Sequence, residues 1–104
     1  MLEVDQSMGF ALSEDILLKA VPETGQYYAF DIKNGDHFNL NATAHWVLDR
    51  IAHGDDFGLL AESFAAEFGL KNGDALKDLV ELIEAALENK IIIRRHNNEE
   101  KKNV

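Results

Sequence analysis

The chain has 104 residues, a formal net charge of −9, 46% hydrophobic residues and no cysteine. That length makes one domain with one core, the charge opposes any partner held mainly through phosphates, and the missing cysteine excludes disulfides and thiolate metal sites. No run approaches the ~18 apolar residues of a membrane span, and no basic segment precedes an apolar one at the N-terminus, so a cytoplasmic protein without a signal peptide is expected.

Residues 1–14 form an N-terminal segment of uncertain order, in which Phe10-Ala11-Leu12 either packs on the domain or adds an edge strand. Residues 15–21 read as the first strand and Pro22 to Gly25 as a turn. A β-hairpin fills 26–41. Tyr28, Phe30 and Ile32 alternate with Tyr27, Ala29 and Asp31, and Phe38 and Leu40 alternate with His37 and Asn39, a period of two. Asn34-Gly35 is the turn signal. A two-residue loop would set Phe38 opposite Asp31 and mix polar with apolar side chains on each face. A three-residue loop of Lys33, Asn34 and Gly35 sets Phe38 opposite Phe30 and Leu40 opposite Tyr28, with one face wholly apolar. Because a one-residue slip exchanges the faces, the three-residue loop is expected, with Gly35 left-handed. His37 and Asn39 then direct their backbone groups to the free edge.

Asn41 is the expected N-cap of a helix at 42–53, whose Ala44, Val47, Leu48 and Ile51 share a face and whose stop is Gly54. Asp55 or Asp56 caps a second helix ending at Phe68, with a stripe of Phe57, Leu60, Phe64 and Phe68; Gly69 supplies its left-handed C′ residue. A third helix is expected over 72–89, then a short strand of Ile91, Ile92 and Ile93, then a polar, disordered tail at 96–104. The sum over 15–95 is a small α+β domain of winged helix-turn-helix type: a three-stranded antiparallel sheet followed by three helices and a short C-terminal strand.

The third helix carries more apolar surface than a surface helix needs. Leu76, Leu79, Val80, Ile83 and Leu87 form one stripe, Ala75, Leu82 and Ala86 flank it, and the arc spans roughly 160°. Two readings account for it. The helix is central and meets both sheet and helices, or the flank at Ala75, Leu82 and Ala86 is one wall of an open groove. The second hairpin strand would be the other wall.

Several short motifs resemble the PqqD family. Leu40-Asn41-x-Thr43-Ala44 followed by Val47, Leu48, Ile51 and Gly54 looks like that family's first-helix start. Ala65-Ala66-Glu67-Phe68-Gly69 is similar to its second-helix ending. Asp78-Leu79-Val80-Glu81-Leu82-Ile83 is similar to its third helix, and Asn89-Lys90-Ile91 to the exit from it. Tyr27-Tyr28 before the hairpin is also similar. The chain departs from the family where several members carry Trp at the position of Leu48, and in its Asp55-Asp56-Phe57 loop. The resemblance implies a recognition element for ribosomally made, post-translationally modified peptides. Such domains bind the leader of a precursor peptide as an added edge strand, drop side chains into a groove against the third helix, and present the peptide to a separate modifying enzyme such as a maturase or protease. The residues placed at that site are His37, Phe38, Asn39, Leu40, Ala75, Asp78, Leu79, Leu82 and Ala86. The implied role is capture without catalysis, with no cofactor, no nucleic acid and no membrane.

Other chemistries have weaker support. A DNA-recognition helix needs Arg, Lys, Asn or Gln toward the groove; the third helix offers Asp74, Asp78, Glu81, Glu84 and Glu88 against Lys77. The rival of another class is therefore an acidic winged-helix regulator or adaptor that works through a protein partner. His45, Asp49 and His53 have metal-ligand spacing, although a solvated helix face explains them as well. No nucleophile–base pair or phosphate loop stands out. Trp46 lies one position off the core stripe of its helix and is either part of the core or set against another subunit.

Overall fold

The computed structural model describes residues 8–69 and 72–95. In chain order these form β1 (Gly9–Leu12), β2 (Ile16–Val21), β3 (Gln26–Asp31), β4 (His37–Leu40), α1 (Ala42–Ala52), α2 (Phe57–Phe68), α3 (Asn72–Glu88) and β5 (Ile92–Arg95). β2, β3 and β4 make an antiparallel sheet in that order, and β1 pairs with β5 in a two-stranded sheet. The expected α+β class and winged-helix order of elements is what forms.

The helix ends follow from their caps. The Asn41 side chain accepts the Ala44 N–H at 2.7 Å and opens α1 directly from the end of β4. Of the two candidate caps for α2 it is Asp56 that accepts, from the Leu59 N–H at 2.9 Å. Asp55 instead takes the Arg50 guanidinium at 2.7 Å. Gly69 closes α2 in the left-handed region at φ 62°. α3 closes with the Lys90 N–H on the Leu87 carbonyl and the Ile91 N–H on the Ala86 carbonyl, 3.1 and 2.9 Å. This is a Schellman motif, and it holds Lys90 at φ 61°.

The hairpin register differs from the expected one. Tyr27 pairs with Leu40, Tyr28 with Asn39, Ala29 with Phe38 and Phe30 with His37. The three-residue loop is replaced by a four-residue loop, 32–35, closed by the Asp31 N–H on the Asp36 carbonyl at 2.8 Å. The cause is Asp31. Its carboxylate accepts the backbone N–H groups of Lys33 and Asn34 at 2.9 and 3.0 Å and the Asn34 side-chain amide at 3.1 Å. That Asx turn holds one more residue in the loop than an Asn-Gly turn requires. Gly35 keeps the expected left-handed backbone, at φ 79°.

The slip exchanges the faces of β3. Ala29 is fully buried, with Ile16, Leu18, Phe38 and Leu40 on the same inner side. Tyr28, Phe30 and Ile32, expected inside, lie on the outer face, where the Phe30 ring stands 5.7 Å from Tyr28 and 6.0 Å from His37. Both faces of β3 are apolar, and α1 packs against the sheet on the side where Ala29 is fully buried.

The N-terminal segment belongs to the core from Met8 onward. Phe10 is fully buried, the Phe57 N–H donates to the Met8 carbonyl at 2.8 Å, and Ser13 bonds the Lys90 and Ile91 carbonyls at 2.6 and 2.9 Å. The terminal strand is shifted by one residue from its expected start, with Ile91 and Ile92 buried and Ile93 exposed. The expected polar tail lies outside the described residues. Val47, Leu48 and Ile51 of α1, Phe57, Leu60 and Phe64 of α2, and Leu79 and Ile83 of α3 complete one core. Trp46 packs at its margin, 5.4 Å edge-on to Phe68 and 6.1 Å from Phe64.

Candidate functional site: a strand edge beside a helix-walled cleft

β4 has a partner on one side only. The Asp31 N–H points toward β4, at Asp36, and the Ile32 N–H points away from it, to the Asp15 carbonyl at 2.9 Å. Antiparallel alternation from that bond turns the backbone of Phe38 and Leu40 to β3 and the backbone of His37 and Asn39 to the free edge. Both latter residues are exposed. The edge expected from the sequence therefore survives the register change, because the slip moved β3 by one residue and left the parity of β4 alone.

Beside this edge, on the inner side of the sheet, lies a cleft of about 200 Å³. Phe38, Asn39 and Leu40 of β4 form one wall, and Leu82, Ala85 and Ala86 of α3, with Asn89 just past its end, the other. Ala44 and Leu48 of α1 and Ile91 close its floor. A second opening of about 320 Å³ shares Leu82 and continues past the start of α1. It is lined by Asn41, Thr43, Phe64 and Phe68 and rimmed by Asp78 and Glu81. Asp78, Leu82 and Ala85 of α3 and Asn89 just past its end stand at i, i+4, i+7 and i+11 and so share one face. A wider opening of about 620 Å³ lies between the hairpin loop and the end of α3; Glu14, Asp15 and Asp31 face Lys33, Lys90 and Arg94 there, away from the β4 edge.

The structure brings Phe38, Asn39, Leu40, Leu82 and Ala86 together around the first cleft and sets Asp78 in the second. His37 presents its backbone to the edge while its ring lies on the outer face beside Phe30. Ala75 and Leu79 are 3% and 0% exposed, behind the cleft in the core. They share the side of α3 that carries Ala86, and what separates them from the cleft is height along the helix: at about 1.5 Å per residue they stand roughly 10–17 Å toward its N-terminus from Ala86. Leu82 is half-buried and Ile83 fully buried, so adjacent residues serve different faces. Ala44, Leu48, Ala85, Asn89 and Ile91 were not singled out as site residues. The i, i+4, i+7, i+11 spacing from Asp78 is the signal that finds Ala85 and Asn89.

Asp74, Asp78, Glu81 and Glu88 of α3 are exposed, which gives the helix an acidic outer side. His45 stacks on Tyr27 at 4.7 Å, and His53 Nδ1 bonds the Asp49 carbonyl at 2.7 Å. Among the described residues no three metal-ligating side chains converge, and no helix is long and apolar enough to cross a membrane.

The family model described as Coenzyme PQQ synthesis protein D (PqqD) matches residues 21–92. The chain belongs to the PqqD family. The matched stretch takes in the hairpin, all three helices and the start of β5, while β1 precedes it. No curated protein matches significantly. Among solved structures, "Lasso peptide synthetase B1 complexed with the leader peptide" is 23% identical with a TM-score of 0.70, over 81% of this chain and 96% of that one. "TbiB1 in Complex with the TbiA(beta) Leader Peptide" is 13% identical with a TM-score of 0.70, over 79% of this chain and 93% of that one. At these identities the likeness is one of fold, and this PqqD-family chain shares that fold over nearly the whole of each neighbour.

Proposed function

We propose that this chain captures the leader of a ribosomally synthesised precursor peptide by strand addition to β4 and presents it to a separate modifying enzyme. The observation that carries the reading is the juxtaposition at β4. Outward backbone groups at His37 and Asn39 adjoin an apolar cleft whose far wall is α3. An extended peptide gains main-chain hydrogen bonds from such an edge and selectivity from pockets for alternate side chains. Family membership supports the reading, and so do the two solved neighbours, each a complex with a leader peptide.

The chain acts as a binding partner and leaves the chemistry to the enzyme it serves. Its place is the cytoplasm, where precursor peptides leave the ribosome. The residues assigned to the peptide are the backbone of His37 and Asn39 and the side chains of Phe38, Leu40, Leu82, Ala86 and Asp78. Asn39→Pro tests the assignment. It removes an outward N–H without touching the β3 ladder. Loss of one backbone hydrogen bond, about 0.5–1.5 kcal/mol, together with the ring's obstruction of the incoming strand weakens binding about tenfold. Fluorescence anisotropy with labelled candidate leader peptides reads the change. Unaltered affinity in a folded Asn39→Pro protein would sink strand addition at this edge.

A further inference from the structure

The two openings along α3 differ in chemistry, and that difference specifies what side chains an added strand must carry. Two residues of strand advance about 6.6 Å, and one i to i+4 step on α3 advances about 6 Å. Successive groove-facing side chains of a peptide paired with β4 therefore meet successive residues of the cleft-facing stripe. One faces Leu82 and Ala86 in the apolar cleft. Its neighbour two residues away faces the opening floored by Phe64 and Phe68 and rimmed by Asp78 and Glu81. The aromatic floor suits an aliphatic stem, and the carboxylate rim suits a cationic head. An acidic side chain there would meet two carboxylates on a chain of net charge −9.

We infer that the peptide this chain captures carries a Lys or Arg two residues from an apolar anchor, with the anchor in the Leu82 cleft and the cationic head between Asp78 and Glu81. The inference rests on strand addition at β4 and names the peptide class that this edge selects. The acidic rim lies at the Leu40 end of β4, since Asn41 and Thr43 line the same opening. The basic residue consequently precedes the anchor if the peptide runs antiparallel to β4 and follows it if the peptide runs parallel.

A phage library of random twelve-residue peptides, selected on the full chain, tests this. Clones are counter-screened on Asn39→Pro, and on Leu82→Glu should the proline variant fail to fold. Among clones that need the edge or the cleft, Lys or Arg is expected enriched two positions from an apolar residue, with Asp and Glu depleted there. Synthetic peptides from these clones should bind Asp78→Asn/Glu81→Gln about 3- to 10-fold more weakly, a loss that shrinks in high salt. Edge-dependent clones without the basic preference, or with a preference that survives the double neutralisation, overturn the inference and leave capture standing. A selection that yields no clone dependent on the edge or the cleft overturns both.

Discussion

Leu82 and Ile83 are neighbours on one helix, and the structure gives them opposite duties. Ile83 is 0% exposed within the core, while Leu82 is half-buried at the junction of the two openings. Replacing each by Glu separates the duties, because the substituent is the same and the helical position differs by one. Ile83→Glu removes a buried side chain, about 2–5 kcal/mol, and leaves a carboxylate without a partner in the core. The total exceeds about 5 kcal/mol, against about 5–15 kcal/mol for the stability of a whole domain. At about 4–8 °C per kcal/mol the melting temperature falls by about 20 °C or more. Leu82→Glu exposes its charge to solvent at the cleft mouth and costs about 1–2 kcal/mol, a fall of about 5–15 °C. Its larger effect is on binding, since a carboxylate stands where an apolar anchor docks. Affinity for the leader should fall more than about tenfold. Circular dichroism melts beside an anisotropy titration read both quantities. Equal melting temperatures for the two variants would refute the assignment of faces.

Three further outcomes follow from the same geometry. Phe38→Pro removes an N–H that faces β3 and takes an aromatic ring from the core margin, so it should destabilise the domain by about 3 kcal/mol or more, seen as a large drop in melting temperature. Lys90→Gly should raise the melting temperature by about 2–8 °C, because glycine meets the left-handed φ of 61° without the steric penalty that Lys90 bears; a lowered value would contradict the Schellman closure. The acidic outer side of α3 should leave duplex DNA unbound at physiological salt in a gel-shift assay, and a salt-dependent shift at micromolar protein would revive a regulator.

The helices and their caps could be read from the residues because their signals are local. Asn41, Asp56 and Gly69 each act within four residues of their position. The 3.6-residue period of α3 gave its inward side only in part: Leu79 and Ile83 are buried as expected, but Leu76 of the same stripe is 42% exposed, and the flanking Ala75 and Ala86 are buried in its place. The free edge was legible for the same reason, since the parity of β4 depends on its own alternation. The hairpin register was not. Tyr27 and Ala29 compete with Tyr28, Phe30 and Ile32 for the inner face, and the choice depends on how closely α1 approaches β3. The Asp31 carboxylate then lengthened a loop whose Asn34-Gly35 pair suggested a shorter one. A strand at Phe10-Ala11-Leu12 was one of the two expected outcomes, but the partnership of β1 with β5 was illegible for another reason. Their pairing joins Gly9 to Arg95 across the whole domain, and no local pattern encodes such a contact. In the site, small residues proved a poor guide: Ala75 fills the core, and Ala85, on the stripe with Asp78 and Leu82, lines the cleft.

The central claim is that a peptide joins the sheet at the free edge of β4. Amide hydrogen exchange, followed by NMR while the leader is titrated in, reads that edge residue by residue. The account predicts that the His37 and Asn39 N–H groups, unprotected in the free protein, become protected at saturation, while the Phe38 N–H is protected throughout. Saturable binding that leaves His37 and Asn39 exchanging at their free rates would contradict it.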